Sequence, residues 1–445
     1  MKCLYKYVVK SSIFEKIIML LGFFSTMPLI TIGNYTVFII LLYISILYGA
    51  ILFLNIEIRD KIILLLFCSS SITLIVTAFS LLPTTWKAQS FKSYINFVAV
   101  LVLVCIILKI KDRIKYATSY FKGVIFSVYA QVVWCCLQIL LYKIFKIDLN
   151  NIIFDKFLHS TTSTSQYKNG DMVCTGLCWN AGNLAPIMIF GYIMCKNIYF
   201  KILIVIIAAL SDSATTQIGI ILCIGFEFIF WLKNNKKEND AKKIIQNAIE
   251  WINQNIRKEK KIGKIKSDKK RKLIFSILTL LLSVLVIFVL SVFLKIFYQK
   301  FSSLIERFMS AIDNTAGNSS SVHFVYYSKL YYILTKISWP QKIFGLGIGC
   351  SGYPFSQFYN QYVNSIWVVE SDIVDIILGR GILGFVAFYY WLIRQAQKGK
   401  AINKKYTIFF ISIIISGIFY NVQFLWVILM ELMMGIFIIE KRDMF

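Results

Sequence analysis

Twelve apolar runs, most of them near the length that crosses a bilayer, constrain this chain more than any other feature. A transmembrane helix needs about 20 predominantly apolar residues. Charged or turn residues separate the runs, and the predicted spans are 14–32, 35–55, 61–82, 94–110, 122–143, 184–199, 201–212, 216–232, 273–297, 370–394, 406–421 and 423–440. The chain is 58% hydrophobic and only 16% charged, whereas soluble domains carry about 25% charged residues. We predict an all-α polytopic integral membrane protein with about 12 transmembrane helices.

The basic residues orient these spans. The formal net charge is +26, and the cations cluster between apolar runs, which favours retention on the cytoplasmic side over nucleic-acid binding. The densest run, 233–272, is cytoplasmic if 201–232 forms two spans that turn at the polar segment 211–217. Both termini are then cytoplasmic as well. Isoleucines at helical spacing in the dense run leave two interpretations open, an amphipathic helix on the inner leaflet or a solvated linker.

This topology divides the chain into three parts. An N-terminal bundle of nine spans covers 1–297, a large outer loop between spans nine and ten covers 298–369, and three C-terminal spans cover 370–445. Polar loops of this length are usually functional. Within the loop, serines able to cap a helix precede an apolar stripe from Val322 to Ile337. The pattern predicts a short interfacial helix that ends at Trp339.

The cysteines and histidines do not indicate a metal site. Most of the 10 cysteines lie inside apolar runs, where a thiol acts as a small hydrophobic group. Cys174, Cys178 and Cys350 fall in outer segments, and pairing of Cys174 with either of the others stays open. The 2 histidines and scattered cysteines lack zinc-ligand spacing. We expect metal-independent chemistry and no cofactor.

The segment 347–352, GIGCSG, matches the letters of a dinucleotide-binding motif. That motif requires a strand before it and a helix after it in a βαβ unit, whereas this segment follows a predicted interfacial helix. The glycines instead favour a tight loop that lets the backbone approach a substrate or a neighbouring helix.

Three carboxylates, Glu370, Asp372 and Asp375, open the tenth span, and Arg380 lies deeper in it. Ionisable groups at a membrane boundary are costly unless they are paired, hydrated or functional. Asp372 and Asp375 share a helix face, whereas Glu370 is rotated from Asp372 by about 160°. Two interpretations remain, a favourable interaction with the helix dipole and a catalytic or substrate-binding role.

Four segments resemble the Wzy family of O-antigen and capsular polysaccharide polymerases, which is related to the O-antigen ligases. They are Thr175-Gly176-Leu177 with Asn180, Asn183, Leu184 and Ala185; the polar turn Ser211-Asp212-Ser213; the stretch 342–349, KIFGLGIG; and Glu370-Ser371-Asp372 with 380–384, RGILG. Two positions depart from the family pattern. The polar turn has Asp212 and Gln217 where an arginine is common, and His323 stands at a loop position where an arginine is common.

The resemblance implies polymerisation of undecaprenyl-pyrophosphate-linked oligosaccharide repeats on the outer face of the bacterial cytoplasmic membrane. An acceptor hydroxyl attacks the anomeric carbon of the donor chain, and the lipid pyrophosphate leaves with inversion at that carbon. Such a site needs a base, cations for the leaving group and a groove for sugars. Membrane lipids surround the protein, a chain-length regulator and a flippase are candidate partners, and nucleic acid is not expected.

The expected residue roles follow from that chemistry. Glu370 is the expected base, Asp372 orients it or the sugar, and His323 is a donor or base unless it is only structural. Arginine binds phosphate through a bidentate fork, which ranks the arginines ahead of the lysines. The expected substrate-binding residues are Arg307, Arg380, Lys329, Lys342, Asn180, Asn183 and Asp375. The aromatic residues expected along the sugar path, unless they are interfacial anchors, are Trp339, Tyr353, Phe355, Tyr359, Tyr362 and Trp367.

Two other functions stay open. A flippase for the same lipid-linked repeats would share the substrate, but no internal repeat typical of transporters is evident, and the charges gather at one outer loop. A ligase that transfers finished glycan to another acceptor shares the architecture. A glutamate where ligases carry a histidine favours the polymerase.

Overall fold

The computed structural model is mostly helical and describes residues 2–52, 61–158, 166–168, 171–211, 213–235, 302, 319–363 and 365–442. The helices before the large basic run are α1 (Lys2–Ser25), α2 (Val37–Leu52), α3 (Lys61–Phe79), α4 (Thr84–Lys109), α5 (Arg113–Phe145), α6 (Ala185–Met194), α7 (Ile198–Leu210) and α8 (Ala214–Asn235). Those after it are α9 (Ser319–Lys336), α10 (Trp339–Phe344), α11 (Tyr353–Tyr359), α12 (Asp372–Ile402), α13 (Lys404–Phe419) and α14 (Leu425–Arg442). A π-helix spans Asn151–Phe157. Two antiparallel hairpins pair β1 (Thr31–Ile32) with β2 (Tyr35–Thr36) and β3 (Gln166–Lys168) with β4 (Asp171–Val173).

Each predicted apolar span that the structure describes contains a helix, but the bounds differ, since α1 covers Lys2–Ser25 instead of 14–32 and α4 begins at Thr84 instead of 94. The predicted span 273–297 lies outside the described residues, as does nearly all of the dense basic run 233–272. Among the helices described, α4, α5 and α12 are long and apolar enough to cross a membrane, and several others are shorter apolar helices. The chain is therefore a helical, membrane-embedded protein. The count of 12 spans stays a prediction.

The chain forms two compact units, Met1–Cys223 with Arg307–Phe445, and Ile224–Glu306. All the described candidate site residues belong to the first unit. In this unit the predicted outer loop shares a hydrophobic core with the start of α12. Tyr326, Ile333 and Phe355 pack in one cluster with Val374 and Leu378. Burying α9 against α12 fixes the position of the loop relative to the carboxylates.

Several predicted outer connections meet at one end of the first unit. The bonds that join them are Leu29 N–H to the Leu177 carbonyl (3.3 Å), Thr216 Oγ1 to the Ala181 carbonyl (3.2 Å) and Cys350 Sγ to the Trp86 carbonyl (3.2 Å). The segment before α12 is bonded to Ser351, which donates to Asp375. The connection between α13 and α14 is bonded to Asp372, so both segments lie at the start of α12.

Helix α12 is broken at Gly381, although the sequence predicted one continuous span. Gly381 has φ 70° and ψ 179°, a backbone conformation open to glycine but strained for other residues. The break releases carbonyls from their helical partners. Backbone amides of Leu346 and Gly347 donate to the carbonyls of Leu378 (2.7 Å) and Gly379 (3.0 Å). We call residues 345–352 the glycine-rich loop. Its predicted close approach to a neighbouring helix is thus confirmed.

The predicted start of this span was wrong by two residues. The helix begins at Asp372 with Ser371 as its N-cap residue, so Glu370 lies before the helix rather than in its first turn. The extended backbone of Ser371 ends the loop and leaves Glu370 exposed.

Candidate active site

The connection between α13 and α14, residues 420–424, holds both aspartates of α12, and we call it the site loop. The Gln423 backbone amide donates to Asp372 Oδ1 at 3.0 Å, and the Asn421 side-chain amide donates to Asp375 Oδ2 at 3.3 Å. Residues three apart on a helix face the same way, so both aspartates reach one loop. Sequence reasoning missed this loop because it is only a short gap between two apolar runs.

Asp375 also ties the glycine-rich loop to the helix. Ser351 Oγ donates to Asp375 Oδ1, and the Val369 backbone N–H donates to Ser351 Oγ at 3.0 Å. Together with the Asn421 bond, both oxygens of this carboxylate are engaged. Asp375 is partly buried and joins the glycine-rich loop and the site loop to α12 through its two oxygens.

Asp372 is completely buried, with 0% of its surface exposed. Its Oδ2 atom makes no hydrogen bond within the described part of the chain and packs against Gly417 of α13. A Cβ atom at Gly417 would lie 3.1 Å from Asp372 Cγ. The described hydrogen bond of Asp372 goes to the site loop, and its predicted role in orienting Glu370 or the sugar stays a prediction.

Glu370 is exposed and lies beside two tyrosines. Burial, and then the nearby Glu370 carboxylate, raises the pKa of Tyr326 to about 12. The carboxylate also interacts electrostatically with Tyr420, whose hydroxyl accepts a bond from the Asn180 amide. Asn180 Oδ1 in turn accepts from the Asn183 backbone N–H at 2.9 Å. The structure therefore brings Glu370, Asn180 and Asn183 together through Tyr420.

Arg380 lines a cavity of mixed apolar and polar side chains, which we call the polar cavity for its arginine and five other polar residues. The guanidinium lies over the Phe97 ring at 4.1 Å from the centroid and near Phe388 at 5.9 Å. It makes no hydrogen bond or ion pair within 4.0 Å to any other described residue, although Asp375 is close enough to interact electrostatically. The cavity has a volume of about 180 Å³. Its polar lining comprises Ser93, Asn96, Asp375, Arg380, Asn421 and Gln423.

An apolar groove of about 620 Å³ also borders the glycine-rich loop. Leu346 lines the groove, whereas Ile348 and Gly349 line the polar cavity. Most of the groove lining is apolar, and Lys336 contributes a cation to it. A few residues of one loop thus separate an apolar surface from a polar cavity that contains an arginine.

The predicted lysines lie over aromatic rings on the helices of the outer loop. Lys329 Nζ is 4.3 Å from the centroid of the Tyr359 ring, and Lys342 Nζ is 4.7 Å from that of Trp339. Partial burial lowers the pKa of Lys329. Neither lysine lines the polar cavity, so their predicted contact with pyrophosphate stays a prediction.

Two predicted residues have no described side chain. His323 lies on α9, and at this position the structure describes only the backbone. Arg307 lies outside the described residues. Their predicted roles toward pyrophosphate and acceptor stay predictions.

The three cysteines of the predicted outer segments are free thiols. Cys174 Sγ donates to Gln138 Oε1 at 3.6 Å, and Cys350 Sγ donates to the Trp86 carbonyl at 3.2 Å. Across the described chain, no group of three or more His, Cys, Asp or Glu side chains is arranged to hold a metal ion.

Comparison with protein-family models and with curated proteins finds no match for the chain.

Proposed function

We propose that the protein is a membrane-embedded glycosyltransferase that uses a lipid-linked pyrophosphate donor. Within that class, it is a polysaccharide polymerase that joins undecaprenyl-pyrophosphate-linked oligosaccharide repeats on the outer face of the bacterial cytoplasmic membrane. The supporting observation is Arg380, which borders a polar cavity without a hydrogen-bond partner among the described residues. Arg380 lies on α12, and the exposed carboxylate of Glu370 precedes the first residue of the same helix.

The leaving group is the part of the substrate that Arg380 would bind. Phe97 supports one face of the guanidinium, so its N–H edge remains available for two phosphate oxygens. A cation held in place before the reaction stabilises negative charge as it develops on the leaving oxygen. Asp375 is fixed by Ser351 and Asn421 and would keep Arg380 oriented electrostatically.

Glu370 would act as the general base. The acceptor hydroxyl transfers its proton to the Glu370 carboxylate while its oxygen bonds to the anomeric carbon of the donor. The bond from that carbon to the pyrophosphate oxygen breaks, and its electron pair leaves with the lipid pyrophosphate. Asn180 and Tyr420, linked by a hydrogen bond next to Glu370, are suited to bind sugar hydroxyls near the base.

The apolar groove supports a lipid-linked substrate. An amphiphile with a long prenyl chain needs an apolar surface next to the site for its headgroup. Here the groove of about 620 Å³ and the polar cavity are separated by the glycine-rich loop. Part of the lipid chain would occupy the groove while the pyrophosphate reaches Arg380.

Deletion of the gene, followed by gel analysis of surface glycan, tests the proposal. A polymerase predicts loss of the ladder of long chains with single repeats retained. Loss of every surface repeat would indicate a flippase instead. An unchanged ladder would contradict both functions.

A further inference from the structure

Two pairs of aromatic rings in the outer loop pack on one buried ring, that of Phe355. We call the set Lys329, Tyr332, Lys336, Tyr359, Tyr362 and Trp367 the aromatic shelf. The ring-centroid distances within the two pairs are 6.0 Å for Tyr332–Tyr359 and 5.3 Å for Trp367–Tyr362. The Phe355 ring lies 6.2 Å from Tyr359 and 6.0 Å from Trp367, so one buried ring supports both pairs.

Two lysines place positive charge on this surface. Lys329 lies 4.3 Å from the Tyr359 centroid, and Lys336 lies 5.4 Å from the Tyr332 centroid. The sequence from Ser319 to Val369 contains no aspartate or glutamate. No carboxylate of the shelf's own segment therefore neutralises these lysines.

The shelf leads to the proposed base. Tyr326 packs against Phe355 at 5.2 Å and against Trp367 at 6.4 Å. The same tyrosine interacts electrostatically with Glu370. The buried Tyr326 ring therefore lies between the Trp367 end of the shelf and Glu370.

Lys336 also lines the apolar groove, but the rest of the exposed side of the shelf suits sugars better than lipid tails. The apolar side of α9 is covered by protein, since Ile333 is buried in the core shared with Val374. Tyr332 and Tyr362 are 45% and 69% exposed and carry hydroxyl groups. Tyrosine combines an apolar ring face with a polar edge, as a sugar ring does.

We propose that the aromatic shelf binds an acidic glycan, a repeat whose sugars carry carboxylate groups. This inference rests on the proposed function and names the chemical class of its substrate. The rings contact the apolar faces of the sugars, and Lys329 and Lys336 pair with their carboxylates. Charge complementarity of this kind contributes specificity between similar partners.

The test is binding of a defined acidic oligosaccharide to the full-length protein in nanodiscs of neutral lipid. The probe is an octasaccharide of hyaluronan, and the comparison is the same octasaccharide with its carboxylates reduced to alcohols. We expect roughly tenfold tighter binding of the acidic form at low salt and a smaller preference at high salt. The double variant K329Q/K336Q should lose the preference, whereas Lys400→Gln, an exposed lysine near the end of α12, should keep it.

Two results would overturn the inference: equal binding of both octasaccharides, and an unchanged preference in the double variant. If the double variant with an unchanged preference also loses binding to anionic lipid vesicles, the lysines are assigned to the membrane surface. Glu370→Gln should stop polymerisation and leave the binding preference unchanged. If Glu370→Gln polymerises normally while the preference persists, the proposed base fails and the shelf stands.

Discussion

The backbone amide of Gln423 donates to Asp372 Oδ1 at 3.0 Å and so joins the site loop to the first residue of α12. The side-chain amide of Gln423 also reaches Glu431 Oε1 at 3.5 Å. Asp372 and Glu431 are both completely buried. One residue of a short connection therefore contacts two acidic groups inside a membrane-embedded unit, where unpaired polar groups are costly.

Truncating the Gln423 side chain should destabilise the protein. Gln423→Ala keeps the backbone bond to Asp372 but leaves Glu431 without its amide donor. Removing one partner of a buried polar pair costs about 1–3 kcal/mol. Thermal unfolding of the purified protein in detergent measures the loss. Gln357→Ala, at an exposed position on α11, is the control, and equal midpoints for the two variants would contradict the role given to Gln423.

The break in α12 should depend on glycine at position 381. Alanine there would combine an unfavourable positive φ with a Cβ atom 2.5 Å from the Gly345 backbone nitrogen. Gly33 also has a positive φ of 60°, but nothing lies within 4 Å of its Cβ position. We expect Gly33→Ala to cost about 1–2 kcal/mol and Gly381→Ala to cost roughly 1–3 kcal/mol more. Equal losses in stability would show that the glycine-rich loop does not pack against this break.

Arg380 should bind its ligand through the geometry of the guanidinium as well as its charge. Arg380→Lys keeps a cation but loses the planar fork and its contact with Phe97. We expect binding of undecaprenyl pyrophosphate to weaken about tenfold, measured by titration in nanodiscs. Arg394→Lys is the matched control, because Arg394 is also on α12 and lies 5.9 Å from the Tyr390 centroid. Equal affinities for the two variants would remove Arg380 from the proposed site.

The positions of the helices could be predicted from sequence because apolar runs are local. The polar turn at 211–217 and the helix within the outer loop also carry local signals. The break at Gly381 could not be predicted, since it depends on amides of Leu346 and Gly347 that meet α12 only in the folded chain. The site loop was missed for the same reason. Asn421 and Gln423 are far from Asp375 and Asp372 in the sequence, and their hydrogen bonds to these aspartates form only in the folded chain.

The candidate site was predicted in part. Spacing placed Asp372 and Asp375 on one face, and both do reach one loop. Spacing alone could not separate an enclosed carboxylate from an accessible one. The burial seen in the structure distinguishes the two carboxylates, since Asp372 packs against Gly417 whereas Glu370 is exposed.

In the proposed reaction Glu370 accepts the proton of an attacking sugar hydroxyl, and polymerisation by the reconstituted protein measures that role. Purified protein in liposomes is given an undecaprenyl-pyrophosphate-linked repeat, and polymer and released lipid pyrophosphate are measured together. We predict that Glu370→Gln lowers the rate by about 10²–10⁴-fold at an unchanged protein level. Glu15→Gln, which replaces the acid of the Lys115 ion pair (2.8 Å), should polymerise normally. Polymer formation by Glu370→Gln at the unmodified rate would show that Glu370 is not the general base.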